Sequence, residues 1–550
     1  MNKFPWLDQY PDGVPAAIDP DTYASLAEVL EYACKTYADL PAYENMGTSI
    51  TYKELDELTS TFAAYLQKKA GLKKGDHIAI QMPNLLQYPV VLFGALRAGL
   101  IVVNTNPLYT PPEMKFQFND AEIKALVIME NFAHKLEAIW NEVSIETVIV
   151  TKIGDLMGGL KGGFLNFAVK YIRRMVSTYN IPGAIMFKDA LSDGAGLSLE
   201  PVALRGDDTA FLQYTGGTTG RSKGAVLSHR NMVANLLQCE AWFAGLHTGK
   251  EICVTALPLY HIFALTVNCL LILHIGARNV LITNPREVRG FIRELKKQPF
   301  TIFTGLNTLF NLLLNQEEFK KVDFRHLKVT IGGGMAVQKS VAERWEKVTG
   351  IRLTEGYGLT EASPVLSCNP VGAPGKLGTI GLPLPCTELA IIDNEGTFLP
   401  AGEPGEIVAK GPQVMQAYWK QKEETKNVFL NGWLKTGDIG IMSEDGYFSI
   451  IDRKKDMINV SGFNVYPNEV EDVIAAHPKV LEVGVVGVPD KYSSEAVKAF
   501  IVKKDPSLTE EEVMQYCKEN MTGYKRPKHI VFREELPKNP VGKILRKDLN

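Results

Sequence analysis

The pattern of hydrophobic and polar residues divides the chain into regions of different texture. Between residues 21 and 128, apolar stripes at helical spacing alternate with short apolar runs, of which 78–82 is typical of a buried strand. Similar strand-like runs recur at 252–258, 300–305 and 328–332. Because alternating strands and helices favour parallel α/β layers, we expect a large N-terminal domain built from two α/β subdomains.

Beyond residue 378 the pattern changes to short β runs between Gly/Pro turns, which predicts a small β-barrel-like subdomain at about 378–452. Glu444-Asp445-Gly446 stands between two apolar runs and indicates a hairpin. Past a charge cluster, a helix beginning at Pro467 and capping-box spacing at 509–512 predict a compact α+β domain. The predicted domains are an N-terminal domain at 1–452, a hinge linker at 453–456 and a C-terminal domain at 457–550.

Composition and charge narrow the class of protein. The 550 residues are too many for one core, and the net charge of −3 argues against nucleic-acid binding, which needs a basic face. The seven cysteines are scattered without a Cys-x-x-Cys pair, which predicts reduced packing residues rather than disulfides or a zinc site. The first ten residues lack the apolar run of a signal peptide, and the apolar run 262–273 is well short of the roughly 20 residues that span a bilayer. We therefore expect a cytoplasmic protein that does not cross a membrane.

One segment departs from the α/β pattern. Glycine pairs flank the start of a predicted helix from Phe164 to Tyr179, with apolar residues on one side and Lys170, Arg173 and Arg174 opposite or beside them. A basic amphipathic helix can lie on an anionic membrane surface. The same pattern is also typical of a helix packed on its domain with the basic side in water, and both interpretations stay open.

The strongest candidate for chemistry is the loop from Tyr214 to Gly224, which lies between two strand-like runs. Its four glycines let backbone N–H groups turn inward, and its hydroxyl groups and Lys223 add polar contacts, so it predicts a phosphate-binding loop. It is not a Walker A loop, because Ser222 precedes the lysine and Gly224 follows it. The flanking strands predict a hairpin-like loop. The alternative is an ordinary surface turn.

A second motif runs from Glu355 to Glu361. Glycines beside Tyr357 would let its ring lie open to stack on a planar base, Thr360 offers a hydroxyl, and Glu361 offers an oxygen ligand for Mg²⁺. The alternative is an acidic turn with a core tyrosine. Upstream, Gly332-Gly333-Gly334 follows a strand and admits a bulky group close to the backbone.

Three isolated residues are weaker candidates. His261 borders an apolar segment, Asp438 lies at a tight turn and could accept hydrogen bonds from a ribose diol, and Lys543 lies in a Pro/Gly-rich tail. Each has a plain structural alternative, namely a satisfied core histidine, a solvated turn aspartate and a solvated tail lysine.

Taken in order, these motifs resemble those of the adenylate-forming acyl-CoA synthetase superfamily, and the resemblance is closest to bacterial long-chain-fatty-acid–CoA ligases. It runs through nearly the whole chain. The family's fatty-acyl signature is similar to Asn431–Ile439 and Ile451–Lys455, and further motifs match Tyr214–Gly224, Glu355–Glu361 and Ser461–Glu471. Several independent motifs in the same order as in the family indicate membership far more specifically than any single motif would.

The resemblance implies a ligase reaction in two halves. A fatty carboxylate attacks the α-phosphate of MgATP and gives an acyl-adenylate and pyrophosphate; the CoA thiol then attacks the acyl carbon and releases AMP and the thioester. The implied cofactors are ATP, Mg²⁺ and coenzyme A, and the implied substrate is a long-chain fatty acid. Because a carboxylate is a modest nucleophile, such an enzyme must mainly align it and neutralise phosphate charge.

The resemblance also assigns site residues. The residues expected to bind ATP or AMP are Tyr214, Thr215, Gly216, Gly217, Thr218, Thr219, Gly220, Lys223, Gly334, Glu355, Gly356, Tyr357, Gly358, Thr360, Asp438, Arg453 and Lys543. The residues expected to be catalytic are Lys543, Thr360, Glu361 and His261, and the Mg²⁺ ligands are Thr215 and Glu361.

Individual roles follow from the same resemblance. The segment 215–223 would hold the β- and γ-phosphates, Tyr357 would stack near adenine, and Asp438 and Arg453 would hold the ribose. Lys543 would bridge the fatty carboxylate and the α-phosphate. Thr360 would contact the α-phosphate and His261 would border the acyl carboxylate.

Members of the family rotate a small mobile C-terminal domain between the half-reactions, and Lys455 is at the hinge position. Rotation would withdraw Lys543 and bring the CoA loop Ser461-Gly462-Phe463 inward. Some long-chain relatives have a gating tryptophan after the histidine, but this chain reads His261-Ile-Phe-Ala-Leu265. We therefore expect no tryptophan gate, but an apolar acyl tunnel with Gly332–Gly334 near its mouth.

Two alternatives stay open. An adenylating ligase could act on medium-chain or aryl acids, or transfer the acyl group to a carrier protein. A non-catalytic nucleotide sensor is the other alternative, and retention of Lys543, Glu361 and Arg453 argues against it. The expected partners are small molecules and not nucleic acid; peripheral contact with the inner face of the membrane and a homodimer are further hypotheses.

Overall fold

A computed structural model describes residues 4–215, 222–243, 245–372, 375–461, 463–490, 493–539 and 542–549. The candidate residues Gly216, Gly217, Thr218, Thr219, Gly220 and Gly462 lie outside the described residues. The strands are β1 (Pro41–Asn45), β2 (Thr48–Thr51), β3 (His77–Gln81), β4 (Ile101–Asn104), β5 (Ala125–Met129), β6 (Thr147–Thr151), β7 (Ile185–Met186), β8 (Thr209–Thr215), β9 (Lys223–Ser228), β10 (Ile252–Thr255), β11 (Arg278–Leu281), β12 (Ile302–Gly305), β13 (Val329–Gly332), β14 (Leu353–Gly358), β15 (Val365–Cys368), β16 (Leu382–Pro383), β17 (Glu388–Ile392), β18 (Gly405–Lys410), β19 (Ala417–Tyr418), β20 (Phe429–Leu430), β21 (Trp433–Met442), β22 (Phe448–Arg453), β23 (Ile458–Val460), β24 (Phe463–Val465), β25 (Val480–Asp490), β26 (Ser494–Lys503) and β27 (His529–Arg533). The helices are α1 (Leu26–Thr36), α2 (Tyr52–Lys68), α3 (Gln87–Arg97), α4 (Pro111–Asp120), α5 (Ala133–Glu137), α6 (Gly159–Phe167), α7 (Phe187–Gly194), α8 (His229–Trp242), α9 (Ile272–His274), α10 (Val288–Leu295), α11 (Asn307–Leu314), α12 (Lys339–Thr349), α13 (Lys422–Val428), α14 (Pro467–Ala475) and α15 (Glu510–Asn520).

The first α/β subdomain is an eight-stranded sheet in the order β19-β9-β8-β4-β3-β5-β6-β7. Strands β3 to β7 pair in parallel and β4 pairs in parallel with β8, whereas β8 and β9 form an antiparallel hairpin. Helix α2 begins with a capping box between Thr51 and Glu54 and buries Leu55, Phe62 and Leu66, which lie on the predicted apolar stripe. The predicted α/β alternation is confirmed here.

The second α/β subdomain is a nine-stranded sheet in the order β16-β15-β14-β13-β12-β10-β11-β1-β2. Its central strands are parallel, and β1 joins them by pairing in parallel with β11. The hairpin of β1 and β2 therefore precedes the first sheet in sequence but belongs to the second. The sequence pattern did not predict this crossover, because two short strands carry no signal for a partner more than 200 residues away.

Two smaller sheets complete the chain. Strands β17-β18-β21 pair in that order, and β20 and β22 both pair with β21, which confirms the predicted hairpin at 444–446. Within the described residues, no ladder joins β17 to β22, so this β subdomain is an open sheet. The last sheet has the order β24-β23-β26-β25 with β27 on β26, and α15 begins with the predicted capping box of Thr509 and Glu512.

The predicted hinge lies at the turn between β22 and β23, and the exact bounds of the domains stay predictions.

The predicted helix at 164–179 has different bounds in the structure. Helix α6 begins at Gly159 and continues as a π-helix over Ala168–Ile172, so the helical segment starts five residues earlier and ends seven residues earlier than predicted. The backbone of Gly162 in this helix lies too close to that of Gly154 for a side chain on either, and the end of the segment is followed by Arg174 in the left-handed region, at φ +50°. Among the described residues, no helix is both long and apolar enough to cross a membrane.

Candidate active site

A cavity of about 2060 Å³ lies where the two α/β subdomains, the β subdomain and the C-terminal residues meet. It gathers side chains that are far apart in sequence. The predicted site residues that line it are Tyr214, Thr215, Lys223, His261, Gly334, Glu355, Gly356, Tyr357, Gly358, Thr360, Glu361, Asp438, Arg453, Lys455 and Lys543.

The base of the predicted phosphate loop is a hairpin. In the ladder of β8 and β9, Thr215 stands opposite Lys223, and the Ser222 hydroxyl donates a hydrogen bond to the Thr215 carbonyl. The Tyr214 hydroxyl donates to the carboxylate of Asp120, so Tyr214 anchors the loop from the side. The prediction of a hairpin-like loop with strands on both sides is confirmed for these residues.

A segment of the β subdomain completes this corner of the cavity. Strand β19 pairs antiparallel with β9, and the Trp419 N–H donates to the Gly224 carbonyl at 2.7 Å. Gly224 must be small there, since a Cβ would lie 3.2 Å from the ring of Tyr214. The pairing brings Glu424 on α13 into an ion pair with Lys223. Sequence analysis missed this contact, because nothing local to either residue signals the other.

The same segment fixes the candidate Mg²⁺ ligand. The Tyr418 hydroxyl donates to Glu361 Oε1 at 2.6 Å, and the Glu361 carbonyl accepts from the Met415 N–H at 2.7 Å. Mg²⁺ in nucleotide sites is bound by one or two carboxylates together with substrate phosphates, so a single carboxylate facing a phosphate-loop hairpin fits that ion. Among the described residues, no cluster of three or more His, Cys, Asp or Glu side chains could hold a metal without such a substrate.

The motif at 355–361 is organised around Tyr357. Its ring is 8% exposed, and its hydroxyl donates to Asp438 Oδ2 at 2.6 Å. Asp438 Oδ1 lies 3.2 Å from Arg453 Nε, because the two residues stand opposite each other in the ladder of β21 and β22. Tyr357, Asp438 and Arg453 thus form one connected polar wall. Gly358 is required beside it, since a Cβ there would lie 2.0 Å from the carbonyl oxygen of Pro364.

Glu355 is an uncharged acid at neutral pH. Burial raises its pKa to about 8, and the nearby Asp472 carboxylate acts in the same direction. Its Oε1 accepts a hydrogen bond from the Val337 N–H at 3.1 Å. A protonated carboxyl group can donate as well as accept, which suits it to a neutral planar base rather than to a phosphate.

Lys543 is partly buried at the wall of the cavity. The backbone N–H of Lys543 donates to Asn539 Oδ1 and its carbonyl accepts from the Asn539 N–H, both at 2.8 Å, which closes a tight turn. Burial, followed by the positive charge of Arg453, lowers the pKa of Lys543 to about 8. Burial, followed by the charge of Lys543, lowers the pKa of His261 to about 4, so the imidazole is neutral at pH 7.

Part of the cavity lining is apolar, and we call this part the apolar end. It is formed by Trp242, Phe243, Ile262, Phe263, Val267 and Leu306. A Cβ on Gly333 would lie 3.2 Å from both the ring of Phe263 and the carbonyl of Gly356. The bulky group that this glycine admits is therefore the chain's own phenylalanine.

The structure does not bring the predicted CoA loop to this cavity. Ser461 and Phe463 lie at the hairpin of β23 and β24 outside the residues that line it, and Phe463 is 57% exposed and stacks on Tyr524 at 4.8 Å between ring centroids. Lys455, at the expected hinge, lies in the turn between β22 and β23 at the cavity edge. The polar wall, the phosphate-loop base and Lys543 are thus together, while the CoA loop is apart.

Comparison with known proteins agrees with this arrangement. The AMP-binding enzyme family model matches residues 30–419, and the model of the AMP-binding enzyme C-terminal domain matches residues 469–543. The chain belongs to the AMP-binding enzyme family. It is 56% identical over 545 residues to a long-chain-fatty-acid–CoA ligase of Escherichia coli, covering 99% of this chain and 97% of the relative. A long-chain-fatty-acid–CoA ligase of Haemophilus influenzae is 49% identical with the same coverage.

Solved structures of other family members share the fold. An anthranilate CoA ligase in complex with anthranoyl-AMP is 25% identical, with a TM-score of 0.85 over 97% of this chain and 98% of the other. A benzoate CoA ligase from Burkholderia xenovorans LB400 is 26% identical, with a TM-score of 0.83 over 96% of this chain and 100% of the other. The predicted fold class and family are confirmed.

The lowered pKa of Lys543 predicts a pH dependence. The role that the family resemblance implies for Lys543 requires an ammonium group, which loses its charge above its pKa of about 8. We therefore expect kcat/KM for ATP to fall about tenfold per pH unit beyond that point. ATP–pyrophosphate exchange measured between pH 6.5 and 9.5 checks this. A Lys543→Arg variant should keep whatever activity it has without the alkaline fall, because arginine stays protonated. A wild-type profile that is flat to pH 9.5 would contradict the prediction.

Proposed function

We propose that the protein is an ATP-dependent ligase that joins long-chain fatty acids to coenzyme A through an acyl-adenylate, releasing AMP and pyrophosphate. Mg²⁺ accompanies ATP and supplies charge neutralisation for its phosphates, with Thr215 and Glu361 as its protein ligands. The two relatives that share 56% and 49% identity with nearly the full chain are named long-chain-fatty-acid–CoA ligases, and the chemistry of the site is compatible with that activity.

The observation that carries the proposal is the mixed lining of one cavity. The charged side chains of Lys223, Asp438, Arg453 and Lys543 line the same cavity as Phe263 and the other residues of the apolar end. A fatty acid needs an apolar lining for its chain and cations for its carboxylate, and ATP needs cations for its phosphates. The apolar end favours an alkyl chain over a substrate that is polar throughout.

In the first half-reaction, a fatty carboxylate oxygen forms a bond to the α-phosphorus and the bond to the β-phosphate oxygen breaks, so that pyrophosphate leaves with the electron pair. The ammonium of Lys543 would contact both the carboxylate and the α-phosphate and stabilise the charge that develops between them. Lys223 would hold the β- and γ-phosphates, and the wall of Tyr357, Asp438 and Arg453 would orient the nucleoside. His261 is neutral, so it would border the carboxylate without carrying charge.

In the second half-reaction, the CoA sulfur forms a bond to the acyl carbon and AMP leaves. Lys543 lies at the cavity and Phe463 lies outside it, which supports an orientation suited to the first half-reaction. We infer that the C-terminal domain rotates about Lys455 before CoA attacks, exchanging the Lys543 turn for the loop at 461–463.

Release of AMP with MgATP across fatty acids from six to eighteen carbons, each with and without CoA, tests the proposed reaction. We expect a CoA-dependent thioester, formed best with the longer chains, because the apolar end gains binding energy with each buried methylene. Pyrophosphate release without a CoA thioester would instead favour a carrier-protein acceptor, and a preference for the shortest or for aryl acids would favour that substrate class.

The assigned role of Lys543 predicts that the two half-reactions separate. Lys543→Ala should slow adenylate formation by about 100- to 1000-fold, since one charge-stabilising donor contributes that much. It should leave thioester formation from supplied acyl-adenylate near the wild-type rate. Lys518→Ala, an exposed lysine of the same domain, is the matched control. Equal loss of both half-reactions would refute the division of labour.

We also propose peripheral contact with an anionic membrane surface, from the cytoplasmic side, through the helical segment at 159–172 and the residues that follow it to 176. Its large apolar side chains point outward: Leu160 is 95% exposed and Phe164 is 70% exposed. The interpretation of a helix packed on its domain does not account for such exposure. Lys161 and Lys170 fix the segment to Met46 and Glu130 on the domain, which leaves Arg173 and Arg174 for lipid phosphates.

The homodimer hypothesis stays a prediction.

Flotation with anionic liposomes tests this surface. Wild type should float, and both Arg173/Arg174→Ala and Leu160/Phe164→Ser should float about fivefold less, because each removes one of two contributions to lipid binding. Lys339/Lys347→Ala removes the same charge from an exposed region elsewhere and should float like wild type. Unchanged recovery of the first two variants would contradict the proposal.

A further inference from the structure

The lysine of the phosphate-loop hairpin already has an anionic partner within the chain. Lys223 Nζ forms an ion pair with Glu424 Oε2, and the side chain of Lys223 is only 15% exposed, whereas that of Glu424 is 42% exposed. Both residues line the cavity, and the cation is the more buried partner while the carboxylate is the more exposed one.

The pair is held by the elements around it. Strand β19 pairs with β9 directly beside Lys223, and the Thr425 hydroxyl donates to its own helix while accepting from the Tyr418 N–H at 2.9 Å. Lys223 Nζ also lies 5.4 Å from the centre of the Tyr418 ring, whose hydroxyl donates to Glu361. Tyr418 and Glu424 therefore stand on one short connection next to Lys223, and Tyr418 links that connection to Glu361.

We propose that Glu424 is an internal counter-ion of Lys223 that competes with the terminal phosphates of ATP and so lowers the affinity of the site for ATP and pyrophosphate. The inference rests on the proposed function, in which Lys223 receives the β- and γ-phosphates. The proposal assigns an effect on nucleotide affinity to Glu424, a residue outside all the motifs quoted in the sequence analysis.

The competition follows from the charges. A lysine ammonium that exchanges a carboxylate for a phosphate gains only the difference between the two contacts, and the released carboxylate is then a like charge beside the phosphate. Because the Glu424 side chain is partly exposed, its carboxylate can turn into water at little cost when a phosphate arrives. Glu424 therefore weakens ATP binding without preventing it. The same competition lowers the affinity of the site for pyrophosphate, which favours release of that product.

The test compares Glu424→Gln with Glu423→Gln, which removes the same charge from the next, exposed residue of α13. Binding of MgATP, of magnesium pyrophosphate and of AMP is measured by calorimetry on the whole protein without fatty acid. We expect Glu424→Gln to bind ATP and pyrophosphate about three- to tenfold more tightly and AMP as wild type does, since AMP lacks the phosphates that reach Lys223. Glu423→Gln should bind all three as wild type does.

Three results would overturn the inference. Unchanged ATP binding would mean that the pair does not compete, and weaker binding would mean that Glu424 itself helps to hold MgATP. Equal tightening of ATP and AMP would indicate a general effect of charge rather than competition at Lys223. Placing Glu424→Gln in a Lys223→Ala background gives a second measurement, in which the effect should disappear. Binding is measured without turnover, so failure of the ligase reaction itself would be seen separately, as absence of AMP formation by wild type.

Discussion

The placement of Lys543 depends on a buried ion pair three residues further along the chain. The guanidinium of Arg546 contacts Asp452 Oδ1 at 3.0 Å, Asp456 Oδ2 at 3.3 Å and Glu471 Oε2 at 2.8 Å. Asp452 is fully buried at the end of β22, and its other oxygen accepts from the Asn468 N–H at 2.7 Å, at the start of α14. One carboxylate of the large domain thus holds both the lysine tail and the first helix of the small domain. Removing one partner from a buried pair typically costs about 3–5 kcal/mol, so this contact favours one orientation of the small domain.

Enclosure by that orientation determines the electrostatics of the cavity. Burial at the cavity wall shifts three pKa values: it lowers that of Lys543 to about 8 and that of His261 to about 4, and it raises that of Glu355 to about 8. At neutral pH Lys543 thus keeps its charge while His261 does not, and Asp438 is held between Tyr357 and Arg453. A rigid set of charges needs little rearrangement when phosphate charge develops, which is the condition for efficient stabilisation of a transition state.

Local features made part of this site predictable from sequence. Glycine and threonine between two strand-like runs correctly predicted the hairpin that places Thr215 opposite Lys223. Gly-flanked Tyr357 lines the cavity with its hydroxyl tied to Asp438, and its stacking on a base stays a prediction. Contacts between distant segments were not predictable: Glu424 reaches Lys223 only because a two-residue strand adds to the edge of β9. Periodicity likewise predicted a helix near 164–179 but not its bounds.

The proposed rotation bears on one contact in particular. Lys543 and His261 line the cavity, whereas Ser461 and Phe463 do not. The Asp452–Arg546 contact crosses the predicted hinge, whereas the contacts of Arg546 with Glu471 and Asn468 lie within the small domain. Rotation would therefore break the first and keep the others, so that Arg546 retains counter-charges while Lys543 leaves. Arg546 would therefore not be left as a buried charge without a partner when the contact with Asp452 breaks. This lowers the energetic cost of rotating the small domain about the turn that connects the two domains.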